Sequence, residues 1–255
     1  MNAVAVHHVV EGPSEAPVLV LSGSLGSTLR MWDAQAARLS SRFQVVRFDM
    51  RGHGKSPVPP GPYTIADLGH DVIALLDRLG AAKAHFCGVS LGGMVGMWLA
   101  AYAPDRIDRL VLCCTSPRLG PPEMWVDRAR TVREQGTAAL ADAVVSRWLT
   151  PEYAARNPEV ATGLRDMIAT TPAEGYAGCC GAIERMDLTG VLPTVRATTL
   201  VIAGADDPAT PPAHGASIAA AIPSARMAIV PHAAHLANIE QADTVTALIL
   251  EHLDG

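Results

Sequence analysis

Gly88-Val89-Ser90-Leu91-Gly92-Gly93 is the stretch on which the fold turns. The apolar run His85 to Val89 leads into it, and the helix-like run Met94 to Tyr102 leads away from it. A serine between glycines, at the junction of a strand and a helix, predicts a tight turn that strains the serine backbone and lifts its hydroxyl above the sheet. Gly88 and Gly92 take away the side chains that would collide in such a turn. The same string outside this context is an ordinary glycine-rich turn; inside it, Ser90 is a candidate nucleophile. Leu91, the next residue, is placed to offer its backbone N–H to an oxyanion.

Working outward, short apolar runs at Val4 to Val10, Val18 to Leu21, Phe43 to Phe48 and Leu110 to Cys114 read as further buried strands. Between them, Leu68, Val72, Leu75, Leu76 and Leu79 share one face of a helix over Ile65 to Leu79. Strands alternating with helices predict an α/β fold, with a mostly parallel central sheet flanked by helices. After Pro117 the strands stop, and amphipathic segments follow at Met124 to Glu134, Ala138 to Trp148, Glu159 to Ile168 and Glu174 to Met186. They predict a helical cap, residues 117–188, inserted after the fifth or sixth strand into a core of residues 1–116 and 189–255. Strand character returns at Thr198 to Ala203 and Arg226 to Val230, and a helix over Asp243 to Leu253 closes the pattern.

A serine hydroxyl is a poor nucleophile near neutral pH, so it needs a base and a group that fixes the tautomer of that base. On this fold the order along the chain is serine, acid, histidine. Asp206 and Asp207 compete for the acid on the loop after Ala203, and His232 and His235 compete for the base on the loop after Val230.

Composition narrows the remaining classes. The 255 residues are 49% hydrophobic and 18% charged, enough for a large core, and no run is long and apolar enough to span a bilayer. A net charge of −5, with no Lys/Arg block, argues against nucleic acid as a partner. Met1 to His8 carries no secretion pattern, which predicts a cytoplasmic protein. The five cysteines include two adjacent pairs without zinc-knuckle or redox spacing, so they predict buried free thiols and no metal site.

Over residues 15–115 and 195–250 the chain resembles the α/β-hydrolase superfamily. The superfamily pattern Gly-x-x-Asp-x-x-x-Pro falls on Gly204, Asp207 and Pro211, and its histidine, followed a few positions later by Glu, falls on His235 and Glu240. The resemblance therefore favours Asp207 and His235. It assigns the second oxyanion donor to Ser24, although this chain has Ser22-Gly23 where many relatives carry His-Gly. Asp49 to Ser56 matches the D-x-R-G-x-G-x-S turn, whose family role is architectural, and no direct chemistry is expected of Arg51 or His53.

Within the superfamily, Leu21 to Gly26, Met31-Trp32, Gly61 to Ile65 and Phe86 to Ser90 are similar to the 3-oxoadipate enol-lactonase family. Glu123 to Ala129, Arg147 to Thr150 and Glu174 to Ala177 extend that likeness through the cap. It implies hydrolysis of a small anionic lactone through an acyl-serine, in the β-ketoadipate pathway of aromatic catabolism, with no metal or organic cofactor. The lactone carboxylate calls for a local cation, and Arg128, Arg133 and Arg147 are the cap candidates, with Trp125 and Trp148 as pocket walls; Trp32 and Trp98 read as core. A general carboxylesterase or a carbon–carbon bond hydrolase would use the same triad and differ only in pocket shape. A dehalogenase or epoxide hydrolase would need aspartate at position 90. A non-catalytic receptor on the same fold would bind a small ligand without turning over an activated ester. The residues leave the oligomeric state open.

Overall fold

The inner strands are mostly apolar because helices cover both faces of the sheet they build. In the computed structural model, which describes residues 2–254, seven strands form one sheet in the order β1-β3-β2-β4-β5-β6-β7. They are β1 (His8–Glu11), β2 (Val18–Ser22), β3 (Gln44–Phe48), β4 (Ala84–Val89), β5 (Ile107–Cys113), β6 (Thr198–Gly204) and β7 (Ala225–Val230). Only β1 runs antiparallel, on β3. It is shorter than the Val4 to Val10 expected. The amide of Val4 goes to the Asp71 carboxylate at 2.8 Å and Val6 is buried, so the apolar residues before His8 serve packing without joining the ladder.

The core helices are α1 (Asp33–Leu39), α2 (Ile65–Arg78) and α3 (Leu91–Tyr102), followed after the insert by α9 (Pro212–Ala221), α10 (Ala237–Glu240) and α11 (Ala242–Asp254). The pleat sorts the strand side chains between them. Val20, Phe86 and Leu110 belong to the cluster that α2 and α3 cover, and Leu19, Leu21, Cys87 and Val111 to the one that α1 and α11 cover. A full capping box starts α2, with Thr64 accepting from the Asp67 amide and Asp67 from the Thr64 amide.

Between β5 and β6 lie α4 (Pro122–Gln135), α5 (Ala141–Trp148), α6 (Pro151–Arg156), α7 (Pro158–Ala169) and α8 (Ala173–Glu184). The segment expected as one helix over Ala138 to Trp148 divides into a single 3-10 turn, Thr137–Leu140, and α5. All five cysteines are buried and unpaired. Among the described residues no helix is long and apolar enough to cross a membrane.

The chain steps from β2 to β3 on one side and then returns to β4 on the other. This reversal of strand order opens a crevice at the C-terminal strand ends, the place where open α/β sheets bind ligands.

Candidate active site

Two loops meet at that crevice. After β4 the backbone of Ser90 is forced to φ 56°, ψ −116°. A Cβ on Gly88 would lie 2.3 Å from the Gly92 carbonyl carbon, and one on Gly92 would lie 2.4 Å from Ser22 O. The strained turn is held by the Ser90 amide on Cys113 O at 3.0 Å and by Thr115 Oγ1, which donates to Ser90 O at 2.7 Å. Ser90 is the N-cap of α3, yet its hydroxyl makes no capping bond. It faces a cavity of about 280 Å³ that it shares with Ser24, Leu25 and His235.

On the loops after β6 and β7, His235 Nδ1 lies 2.9 Å from Asp207 Oδ2. Asp207 Oδ1 accepts the amides of Ala209 at 2.8 Å and Thr210 at 2.9 Å, while Thr210 Oγ1 donates to Oδ2 at 2.7 Å. Burial of Asp207 favours the neutral acid, but His235 and these hydrogen bonds outweigh it and bring the carboxyl down to about 2. An ionised Asp207 can only accept, so this bond places a proton on His235 Nδ1 and leaves Nε2 as the nitrogen it does not engage. Gly204 lets the two loops touch, since a Cβ there would meet Ala234 O at 2.2 Å. Asp206 and His232 are exposed and line a separate cleft on the far side of these loops.

The two expected oxyanion donors differ. Leu91 N–H has no intramolecular acceptor among the described residues. Ser24 N–H rests on Met31 Sδ at 3.3 Å, a thioether that accepts only weakly.

Of the residues expected to hold substrate, Trp125, Arg128 and Trp148 line the cavity, as does Arg147. Arg133 does not. Its guanidinium pairs with Glu174 at 2.8 Å on the exposed side of the insert. Five residues separate it from Arg128, which turns it about 140° around α4 at 100° per residue. Arg128 lies over the Trp125 ring at 5.3 Å and donates to Tyr176 Oη. Among the described residues neither Arg128 nor Arg147 meets a carboxylate. Burial, followed by the nearby Arg128, pushes the Arg147 guanidinium below its ordinary value.

Three residues in this site carried no expectation of this kind. Thr210 bonds both Asp207 and His235, the latter at 3.2 Å. Glu240, noted only as part of a pattern, accepts the Ala234 amide at 2.5 Å and, through its other oxygen, Thr150 of the insert at 2.7 Å. His214 on α9 also reaches the cavity wall. Thr210 is legible only as a hydroxyl inside the Asp207–Pro211 turn, and His214 has no signal in the sequence.

A family model described as alpha/beta hydrolase fold matches residues 16–242. The chain belongs to the α/β-hydrolase family. Within that family of hydrolases it is 40% identical to 3-oxoadipate enol-lactonase 2 of Acinetobacter baylyi, over 93% of this chain and 89% of that one. Its fold superposes on the enol-lactonase from Burkholderia xenovorans LB400 with a TM-score of 0.96, at 46% identity, covering 98% of this chain and 96% of that one. A thermophilic esterase from Thermogutta terrifontis, solved with malate bound, gives a TM-score of 0.92 at 32% identity, with 98% and 93% covered.

Proposed function

We propose that this protein is a serine hydrolase that opens 3-oxoadipate enol-lactone to 3-oxoadipate. Ser90 Oγ bonds to the lactone carbonyl carbon, and its proton passes to His235 Nε2, whose tautomer Asp207 holds. The negative charge on the carbonyl oxygen is met by Leu91 N–H and by the loop amide at Ser24. The ring C–O bond then breaks, and the oxygen departs as an enolate that takes the proton held on His235 Nε2 and becomes the ketone, leaving the imidazole neutral again. An enolate leaves more readily than an alkoxide. Water next attacks the acyl carbon and gives a proton to His235; the bond to Ser90 Oγ breaks, His235 returns that proton to the oxygen, and the acid leaves. Every step uses side chains and backbone amides of this chain and water, with no metal or organic cofactor.

The observation that carries the reading is a cavity joining Ser90 and His235 to two guanidiniums, Arg128 and Arg147, that lack a carboxylate partner among the described residues. A substrate carboxylate supplies the missing charge, in a protein whose overall charge of −5 gives no help. Residues 117–188 act as a cap that brings these cations, with Trp125 and Trp148, over a core of residues 1–116 and 189–255. The enzyme works in the cytoplasm, in aromatic catabolism.

The test is hydrolysis of purified enol-lactone beside a neutral aryl ester, with Ser90→Ala as control. A lactone preference abolished by the substitution supports the reading. Good turnover of the ester with none of the lactone would make the protein a general esterase.

A further inference from the structure

We propose that His53, in the turn after β3, is a positioning residue for the oxyanion hole: it anchors the loop Ser22–Gly26 from behind through the Gly26 amide. The proposal rests on the reading that this loop supplies an oxyanion donor.

His53 is 1% exposed, and both of its ring nitrogens are committed. Nδ1 lies 3.2 Å from Arg51 O, which can only accept, so the proton sits on Nδ1. Nε2 is then a lone pair, and it receives Gly26 N–H at 2.9 Å. Burial favours the same neutral ring, lowering the imidazole from its ordinary value. The imidazole is thus a fixed acceptor aimed at one amide, two residues along from Ser24.

The loop is tied elsewhere through its carbonyls: Gly23 O accepts the Gly92 amide at 2.9 Å, and Ser24 O accepts the Ser27 amide at 3.1 Å and Ser27 Oγ at 2.7 Å. Gly26 has φ +84°, and a Cβ there would stand 3.0 Å from Tyr176 Cε2, so the loop is wedged between His53 and α8. The same turn holds the far end of the segment, because Asp49 Oδ1 accepts the Leu29 amide at 2.8 Å. Ser24 N–H has only the Met31 thioether, and Leu25 N–H has no intramolecular acceptor among the described residues. The N–H groups that would face an oxyanion therefore have no strong acceptor of their own. The peptide that carries them is held by the Gly23 and Ser24 carbonyls before it and by the Gly26 amide after it, and the bond to His53 is the one that reaches the turn after β3. A donor displaced by a fraction of an ångström costs little in ground-state binding and much at the oxyanion.

His53→Phe removes the acceptor, and His53→Gln returns an acceptor oxygen on a flexible arm. Each variant is measured for kcat and KM on the enol-lactone and for inhibition by two probes. Adipate binds as a ground-state carboxylate. A trifluoromethyl alkyl ketone forms a hemiketal: Ser90 Oγ bonds to the ketone carbon, the proton passes to His235, and the ketone oxygen carries the negative charge. His53→Phe is expected to lower kcat and ketone affinity by about tenfold or more, with KM and adipate affinity within about threefold. His53→Gln is expected to recover most of both losses. Should the phenylalanine variant not fold, His53→Asn, whose shorter amide falls short of Gly26, reads the same ratio. A folded variant without the acceptor that keeps ketone affinity, or loses ketone and adipate affinity equally, overturns the proposal. A crystal structure of the wild-type ketone adduct separates this failure from that of the underlying reading. If the hemiketal oxygen does not face the Ser22–Gly26 loop, the loop is not the oxyanion donor, whatever His53 does.

Discussion

At Asp207 burial and hydrogen bonding pull in opposite directions, and the bonds win. A carboxyl at 3.8 in the open chain and about 2 in the folded one adds stability at every pH above the unfolded value. That contribution, on the order of 2 kcal/mol, disappears as pH falls through about 2. The stability difference between wild type and Asp207→Asn should therefore narrow as melts are taken from about pH 4 toward about pH 2. At neutral pH the same substitution offers His235 the wrong tautomer partner, and kcat should drop by about 10⁴. Asp206→Asn, on an exposed side chain, should stay within about twofold. Equal losses for the two would mean that the acid has been misassigned. The choice between these neighbours could not come from spacing, since both sit on one loop; the pattern to Gly204 and Pro211 favoured Asp207, and the fold separates their side chains.

Among the elements, strands with both faces covered were the most legible, because burial leaves a mostly apolar run such as Ala84–Val89, where His85 is the one polar side chain. Helices without an apolar stripe were not. α9, over Pro212–Ala221, is mostly alanine with Ile218 as its one large apolar side chain, and α6 is a six-residue piece announced only by Thr150 as cap and Pro151 at its first position. Arg133 failed for a related reason: a sequence gives proximity along α4 but not which side of the helix meets the cavity. Arg133→Ala should leave KM for the lactone within about twofold, whereas Arg147→Gln should raise it about tenfold, the neutral ester changing for neither. An ester KM that rises in step would show that Arg147 shapes the pocket instead of binding charge. The elbow between β4 and α3 gives the sharpest expectation of this kind. Gly88→Ala drives a Cβ to 2.3 Å from backbone that has no room to yield, so the variant should lose about 3 kcal/mol or more, read as a fallen denaturation midpoint or failed expression.

In the whole molecule, the loops after β6 and β7 and the insert are tied at seams that no local pattern in the sequence reveals. Glu240 joins the amide behind His235 to Thr150, and the Leu236 amide reaches the carbonyl of Trp148, a cavity-lining tryptophan, at 2.9 Å. On the opposite side the contact is backbone on backbone. A Cβ on Gly175 of α8 would stand 2.1 Å from Gly52 O, in the turn that carries His53. A methyl group at Gly175 must lift α8 from the core or push that turn. Lifting α8 carries Tyr176, the partner of Arg128, with it. Gly175→Ala should therefore raise KM for the anionic lactone more than for a neutral ester, and lower Tm by several degrees. The two readings together locate the fault: a fallen Tm with unchanged KM places the strain in the turn, and a raised lactone KM places it in the insert. A variant with both values unchanged would mean that the glycine contact is looser than 2.1 Å implies and that the insert finds its seat through Glu240 and Trp148 instead.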